Sequence, residues 1–404
     1  MVIHSKPRGN CFFEGVKIIG KNGYWDLFGE KDKLISLKQS SKKNGGLICP
    51  RFADIHVHLD KTGTSQRINR RASSLFDAID LMNEDKNNWS ENDIYDRANS
   101  AIKKAWLNGT GFMRTHIDWE TRNVPLAWSI LKSLKLEWKG RLEIELVSLS
   151  PLDLLNMEIE KISKFVKENG SILGAFIYRN KEIENKINKV FKIASDLDID
   201  LDFHVDEGLD REANGIDYIL NSTKKFRMSG RVLCGHGCSL SIRPKSAVAK
   251  VLDLAAENDI GLVCLPTTNL WLQDNLKGKT PRLRGLAPII EAQKLGINVM
   301  IASDNCQDPF YPFGDFNLLS VYKTAVLGAH LDESEWFESI TTKPARWMGF
   351  NNEICEGGEA SFLWFNADTL NTLISQSSIE FELWHKGKFI HNSFKTKNNR
   401  TRNG

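Results

Sequence analysis

The residues with the clearest chemical potential are histidines and acids at the ends of apolar runs. His56 and His58 stand two apart in the stretch 51–60. Ile55 and Val57 favour a β-strand there, and alternate side chains of a strand share one face, so both imidazoles point the same way. Neutral imidazole is the commonest protein ligand for transition metals. Taken alone, the pair is as typical of ordinary buried or surface histidines as it is of metal ligands.

Further apolar runs end in side chains of the same kinds. His204 ends one run and is followed by Asp206 and Glu207. His236 ends the next run, and Asp304 ends a later one. Taken singly, His204 is typical of a hydrogen-bonded core histidine and Asp304 of a helix N-cap. Taken together, several imidazoles and one carboxylate match the ligand shell of a single divalent metal ion with room for a water.

Eight alternating units of strand and helix place these residues at one end of a barrel. The helical segments are expected near 92–107, 122–138, 153–168, 182–198, 212–228, 244–258, 284–295 and 316–331. The β-prone runs are 46–58, 111–118, 141–148, 171–178, 200–206, 231–236, 261–266 and 297–304. This alternation predicts an α/β fold of the (β/α)8 barrel type, whose active sites form where the C-terminal strand ends converge.

The two ends of the chain differ from its middle, because they contain short β-prone runs and turns. Neither end has enough apolar surface to fold alone, so we expect the two to pair. The sequence therefore predicts a small β-sandwich domain from residues 1–50 and 351–404, and a barrel domain from residues 51–350.

Composition narrows the class of protein. The chain has 404 residues, 41% hydrophobic and 26% charged, and a net charge of +3. This charge is too small to favour a nucleic-acid partner. We find no stretch long enough for a transmembrane helix and no signal-peptide pattern, so we expect no membrane partner. Seven cysteines favour reduced thiols and a cytoplasmic location, with Cys234 and Cys238 as packed thiols.

Five motifs together resemble the amidohydrolase superfamily, and within it the bacterial cytosine deaminase group, which also includes triazine-ring amidohydrolases. The resemblance extends over about residues 46–390. The motifs are the segments 52–61, 114–118, 204–207, 235–236 and 303–314, which include His-x-His, His-x-Asp-Glu and Asp-Pro-Phe-Tyr-Pro-Phe-Gly.

The resemblance implies a (β/α)8 barrel with a small β-sandwich and one divalent ion per subunit, Fe²⁺ or Zn²⁺. Its ligands would be His56, His58, His204 and Asp304, and His236 would polarise the metal-bound water. The fourth strand ends without a lysine that could be carboxylated to bridge two ions, which argues against a two-metal site.

The implied reaction is hydrolytic deamination of a small nitrogen heterocycle, cytosine or a related aminopyrimidine. Metal-bound hydroxide would attack the ring carbon, Glu207 would protonate the ring nitrogen, and Asp304 would pass a proton to the departing ammonia. Two alternatives stay open. The same scaffold could hydrolyse another cyclic substrate, such as an N-substituted amino-triazine or a cyclic amide, or the barrel could be non-catalytic. The expected partner is a small molecule, and a homo-oligomer is compatible with the group.

The sequence departs from the group at positions that recognise substrate. The group usually carries a glutamine after strand three, whereas the stretch 146–152 here has no amide, and Asn305 replaces a second Asp after Asp304. Lys61 and Asp118 near the barrel mouth favour a structural ion pair. The candidates for substrate contacts are Asn305, Phe310, Asn269, Gln273 and Trp271.

Overall fold

The structure is a computed structural model that describes residues 10–43 and 45–393. The strands are β1 (Asn10–Ile18), β2 (Trp25–Glu30), β3 (Lys33–Gln39), β4 (Leu47–Pro50), β5 (Phe52–Val57), β6 (Thr110–Asp118), β7 (Glu143–Pro151), β8 (Ile172–Ile177), β9 (Leu201–Val205), β10 (Val232–His236), β11 (Gly261–Cys264), β12 (Asn298–Ile301), β13 (Phe362–Phe365), β14 (Phe381–His385) and β15 (Lys388–Asn392). The α-helices are α1 (Leu75–Asp85), α2 (Glu91–Leu107), α3 (Leu126–Trp138), α4 (Leu152–Met157), α5 (Ile159–Glu168), α6 (Ile183–Leu197), α7 (Gly215–Phe226), α8 (Lys245–Glu257), α9 (Pro266–Leu272), α10 (Ile289–Lys294), α11 (Leu318–Ala329), α12 (Thr342–Trp347) and α13 (Leu370–Ser375).

Strands β5 to β12 form an eight-stranded sheet in sequence order, with parallel pairs along it. The first and last strands meet through a parallel bridge between Val57 and Asp304, which nearly closes the barrel. Every residue of β5, β9 and β10 is buried. Such burial on both faces is typical of parallel strands covered by helices. The predicted (β/α)8 barrel is confirmed.

A second sheet combines strands from both ends of the described chain, as predicted. Its strand order is β15-β14-β13-β4-β1-β2-β3, and β1 with β4 is the parallel pair within an otherwise antiparallel arrangement. Buried Val16, Leu27, Ile48 and Phe362 belong to its apolar core. Stacked aromatic rings such as Phe362 and Trp384 extend this core, with centroids 6.0 Å apart.

Contacts between Cα atoms divide the chain into two compact units. One unit contains the described residues of Met1–Ala53, Trp106–Gly111 and Asp332–Gly404, and the other contains Asp54–Ala105 and Phe112–Leu331. The boundaries predicted from the sequence, at residues 50/51 and 350/351, stay a prediction, and residues 1–9 and 394–404 lie outside the described part. In the described part of the chain, no helix is both long and apolar enough to cross a bilayer.

Two helical expectations were wrong in detail. The segment 153–168 is two helices, α4 and α5, which meet at Glu158. The segment 284–295 is helical only in α10, because Gly285 has a φ of +69° and Pro288 disfavours helical backbone at the residue before it. Helix α1, between β5 and α2, was not anticipated.

Candidate active site

Strands β5 and β12, the first and last of the barrel, bring His56 and His58 next to Asp304. The backbone N–H of Asp304 donates to the carbonyl of His56 at 2.8 Å. The N–H of Ser303 donates to the Asp54 carboxylate at 2.9 Å. Asp304 has a φ of +61°, a left-handed conformation that few non-glycine residues adopt. These backbone bonds hold that conformation, and strain of this kind is often found at functional sites.

Three imidazole nitrogens and one carboxylate oxygen converge at the end of the barrel. The Nε2 atom of His204 lies 2.9 Å from Nε2 of His56 and 3.2 Å from Nε2 of His58. Oδ1 of Asp304 lies 3.1 Å from Nε2 of His58 and 3.5 Å from Nε2 of His56. Four ligands about 2.1 Å from a tetrahedral ion lie roughly 3.4 Å apart. The four predicted ligands are thus brought together at spacings that suit one ion.

The protonation states of this cluster also suit a cation. Burial, followed by the neighbouring histidines, holds the pKa of His56 and of His204 well below the ordinary value. Burial is likewise the main cause that lowers the pKa of His58 to about 4. Burial opposes ionisation of Asp304, but His58 and His236 outweigh it and its pKa is lowered. Neutral imidazoles and a carboxylate with converging lone pairs are the donor set that Zn²⁺ and Fe²⁺ prefer.

Gly235 makes room for His56. It pairs with His204 in the register between β10 and β9. A Cβ atom at position 235 would lie 3.0 Å from Cε1 and 3.2 Å from Nδ1 of the His56 ring. A side chain here would therefore press directly on one predicted metal ligand.

Glu207 and His236 lie together beside the cluster. Oε1 of Glu207 lies 3.7 Å from Nδ1 of His236, and Gln273 donates to the backbone carbonyl of Glu207 at 2.6 Å. The Asn269 amide nitrogen lies 3.1 Å from Nδ1 of His236. If this amide donates, the imidazole proton is on Nε2. Burial, followed by the charge of Asp304, raises the pKa of Glu207 well above its ordinary value, which favours the protonated form of this carboxyl.

A cavity opens over this group and is lined by both polar and apolar side chains. Its polar lining is Lys61, Asp118, Glu120, Glu207 and Asn305, with the imidazoles of His58, His204 and His236 and the Asp304 carboxylate. Its apolar lining is Leu75, Ile79 and Met82 of α1, Leu149 and Pro151 of β7, Phe176 of β8, and Phe310.

The predicted substrate contacts separate into two groups. Asn305 and Phe310 line the cavity, and Asn305 donates to Asp308 at 2.7 Å. Asn269 and Gln273 are buried in α9 and just after it, where they contact His236 and Glu207. Trp271 packs against Phe313, with ring centroids 5.2 Å apart. The structure therefore brings two of the five candidates to the cavity wall.

Some features were missed by sequence reasoning. The apolar wall from α1 was missed because the helix itself was not anticipated. His116, which belongs to the motif 114–118 and lies near the end of β6, was given no role; its ring centroid is 4.0 Å from that of His56. Its Nε2 atom is 3.1 Å from Asp202, which also accepts from Arg114 at 2.9 Å. The occurrence of His116 at a predicted strand end was the signal available. Cys234 and Cys238 are buried free thiols, as expected.

Comparison with known proteins gives the family. The family model described as "Amidohydrolase family" matches residues 170–373. The pterin deaminase of Rhizobium rhizogenes is 32% identical over 355 residues, which cover 86% of this chain and 81% of that protein. The chain belongs to the amidohydrolase family. It is therefore a hydrolase that acts on carbon–nitrogen bonds.

Two further relatives have related names. The N-isopropylammelide isopropyl amidohydrolase of a Pseudomonas species is 23% identical over 355 residues, covering 81% of this chain and 83% of that protein. The 5-methylcytosine deaminase of Klebsiella pneumoniae, solved with 5-fluorocytosine, matches with a TM-score of 0.85 at 21% identity, over 94% of this chain and 96% of that chain. The likeness to the cytosine deaminase group is confirmed, and the amidohydrolase fold with it.

Proposed function

We propose that the protein is a metal-dependent hydrolytic deaminase of a small nitrogen heterocycle, which releases ammonia. One observation supports this most directly. The Glu207 carboxyl, whose pKa is raised by burial, lines the same cavity as the converging imidazoles of His58 and His204 and the Asp304 carboxylate. A buried acid beside a candidate metal site is what protonation of a ring nitrogen requires.

His56, His58, His204 and Asp304 would hold one divalent ion, Fe²⁺ or Zn²⁺. When bound, such an ion makes water a competent nucleophile at neutral pH, because it lowers the pKa of water towards about 7. These four side chains are buried and close together, which supports their joint role.

The remaining steps fall to side chains of this chain. Glu207 holds a proton at its carboxyl and gives it to the ring nitrogen next to the attacked carbon. Asp304 takes up a proton from the attacking water and passes it to the departing amine. His236 lines the same cavity and would donate a hydrogen bond to the oxygen that becomes the product carbonyl. The apolar wall from α1 would exclude bulk water.

For the substrate, we favour a bicyclic aminopyrimidine such as a pterin over the cytosine suggested by the sequence. Leu149 and Pro151 line the cavity on β7, in the stretch where a cytosine-reading glutamine was expected. The apolar side chains of Leu75, Ile79 and Met82 suit a second ring better than open solvent. The name of the 32% identical relative points in the same direction.

The second candidate is hydrolysis of an N-alkylated amino-triazine. The observation in its favour is that same apolar wall, which would also accept an isopropyl group. The two candidates differ in the released product, because the first yields ammonia and the second an alkylamine.

A substrate panel on enzyme reconstituted with Fe²⁺ or Zn²⁺ tests the proposal. We expect ammonia from pterin, less from cytosine, and no isopropylamine from N-isopropylammelide. Isopropylamine as the main product would favour the second candidate. No turnover of any member, together with less than about half a metal ion per chain, would favour a non-catalytic barrel.

A further inference from the structure

Lys61 is a charged side chain held at a fixed point of the cavity wall. It is 3% exposed, and its Nζ atom donates to Oδ1 of Asp118 at 2.7 Å. The Lys61 ammonium also lies 5.1 Å from the centroid of the Phe310 ring, within the range of a cation–π contact. The predicted ion pair therefore exists, and both of its members line the cavity.

Asp118 is held in place by hydrogen bonds to Lys86 and Asp60, neither of which lines the cavity. Lys86 donates to its other oxygen at 2.9 Å and lies 2.5 Å from Glu120. The backbone N–H of Asp118 donates to Asp60 at 3.0 Å. Asp118 therefore keeps a cationic partner whether or not Lys61 turns towards a ligand.

Both members of the pair have unused hydrogen-bonding capacity. An ammonium has three N–H groups, and among the described residues Asp118 is the one side-chain acceptor of Lys61. A carboxylate offers about four lone-pair sites, and two lysines use two of those on Asp118. The pair thus presents a donor and an acceptor side by side to a molecule in the cavity.

The Lys61–Asp118 pair offers the same kinds of hydrogen-bonding group as the glutamine that is absent here. A glutamine amide reads a ring edge with its N–H donor and carbonyl acceptor. The wall formed by β7 presents Leu149 and Pro151 instead. The complement of an adjacent donor and acceptor is a lactam edge, in which a ring C=O adjoins a ring N–H.

We infer that Lys61 and Asp118 form a lactam-reading subsite, in which Lys61 donates to a ring carbonyl oxygen and Asp118 accepts from the adjacent ring N–H. This inference rests on the proposed function and refines it, because it narrows the substrates to amino-heterocycles that carry a lactam edge, such as the 2-amino-4-oxo edge of a pterin. The ring nitrogen on the other side of the attacked carbon then accepts the proton from Glu207.

Ligand binding without turnover provides the test. In metal-loaded Glu207→Gln protein, the Kd values of pterin and of 2-aminopteridine, which lacks the 4-oxo group, are measured by ligand fluorescence. Adding Lys61→Met should weaken pterin binding by about 10- to 100-fold, the usual size of a lost hydrogen bond to a charged group. Binding of 2-aminopteridine should change less than about 3-fold. Lys132→Met is the matched control, because it removes the same charge from an exposed position of α3 that does not line the cavity, and it should leave both Kd values within about 3-fold.

The possible results separate this inference from the proposed function. Equal weakening of both ligands, unchanged pterin binding in Lys61→Met, or no pterin binding by the parent protein would each overturn the subsite. If Lys61→Met is not recovered folded, Asp118→Asn should weaken pterin more than 3-methylpterin, which lacks the ring N–H, and equal loss would overturn the subsite. Ammonia release by the wild-type protein is independent of all these results, so its absence counts against the proposed function alone.

Discussion

Replacement of Glu207 by glutamine separates proton transfer from metal binding. Glu207 is 4% exposed and lies outside the converging group of His56, His58, His204 and Asp304. Glutamine keeps the size and shape of the side chain but cannot give up an acidic proton. We therefore expect Glu207→Gln to retain its metal and its fold and to lose turnover.

The size of the loss follows from the other acids of the cavity. Lys61 and Lys86 pair with Asp118, and Lys86 also pairs with Glu120, so each of these carboxylates already accepts from a lysine. Neither of them replaces the proton of Glu207. General acid–base catalysis contributes about 10²- to 10⁴-fold. We expect kcat to fall by that factor, equivalent to about 3–5 kcal/mol of transition-state stabilisation.

The assay is ammonia release under saturating substrate, together with metal content by plasma mass spectrometry. Asp206→Asn is the matched control, since Asp206 is the preceding acid and bonds away from the cavity to the N–H groups of Gly215 and Ile216 and to Arg243. That variant should lose about 1–3 kcal/mol of stability and keep kcat within about 3-fold. Unchanged kcat in fully metallated Glu207→Gln would refute the role of Glu207.

Three further perturbations test the cluster and the barrel. His204→Ala should lose metal and activity together, because its Nε2 atom is the point where two other imidazoles meet; a variant that keeps a full metal complement would contradict the ligand assignment. Gly235→Ala should raise the metal Kd at least about 10-fold, measured by chelator competition, since its Cβ presses on the His56 ring, whereas an unchanged Kd would show that the ring yields freely. Phe191→Ala should cost about 3–5 kcal/mol in urea unfolding, as its buried ring stacks on Phe203 at 5.8 Å; a loss below about 1 kcal/mol would mean that the site collapses around the deleted ring.

Local patterns in the chain were enough to predict the barrel. Strand-to-helix alternation is a property of short segments, and the rule that parallel strands expose their C-terminal ends at one rim needs no knowledge of packing. The gathering of His56, His58, His204 and Asp304 follows from that rule, because each stands at a strand end. This is why residues almost 250 positions apart could be grouped before their distances were known.

The walls of the cavity depended on tertiary packing. Helix α1 lies between β5 and α2, outside the predicted alternation of one strand and one helix. Nothing in its own sequence therefore indicates that Leu75, Ile79 and Met82 line the cavity. Lys61 and Asp118 were expected to form a structural ion pair, and only the folded barrel shows that both also line the cavity. Strand periodicity determines which rim a side chain reaches, whereas its neighbours there depend on how eight strand ends and their loops pack against one another. The sequence alone thus determined the barrel and the grouping of its candidate ligands, and the tertiary structure decided which groups a substrate would meet.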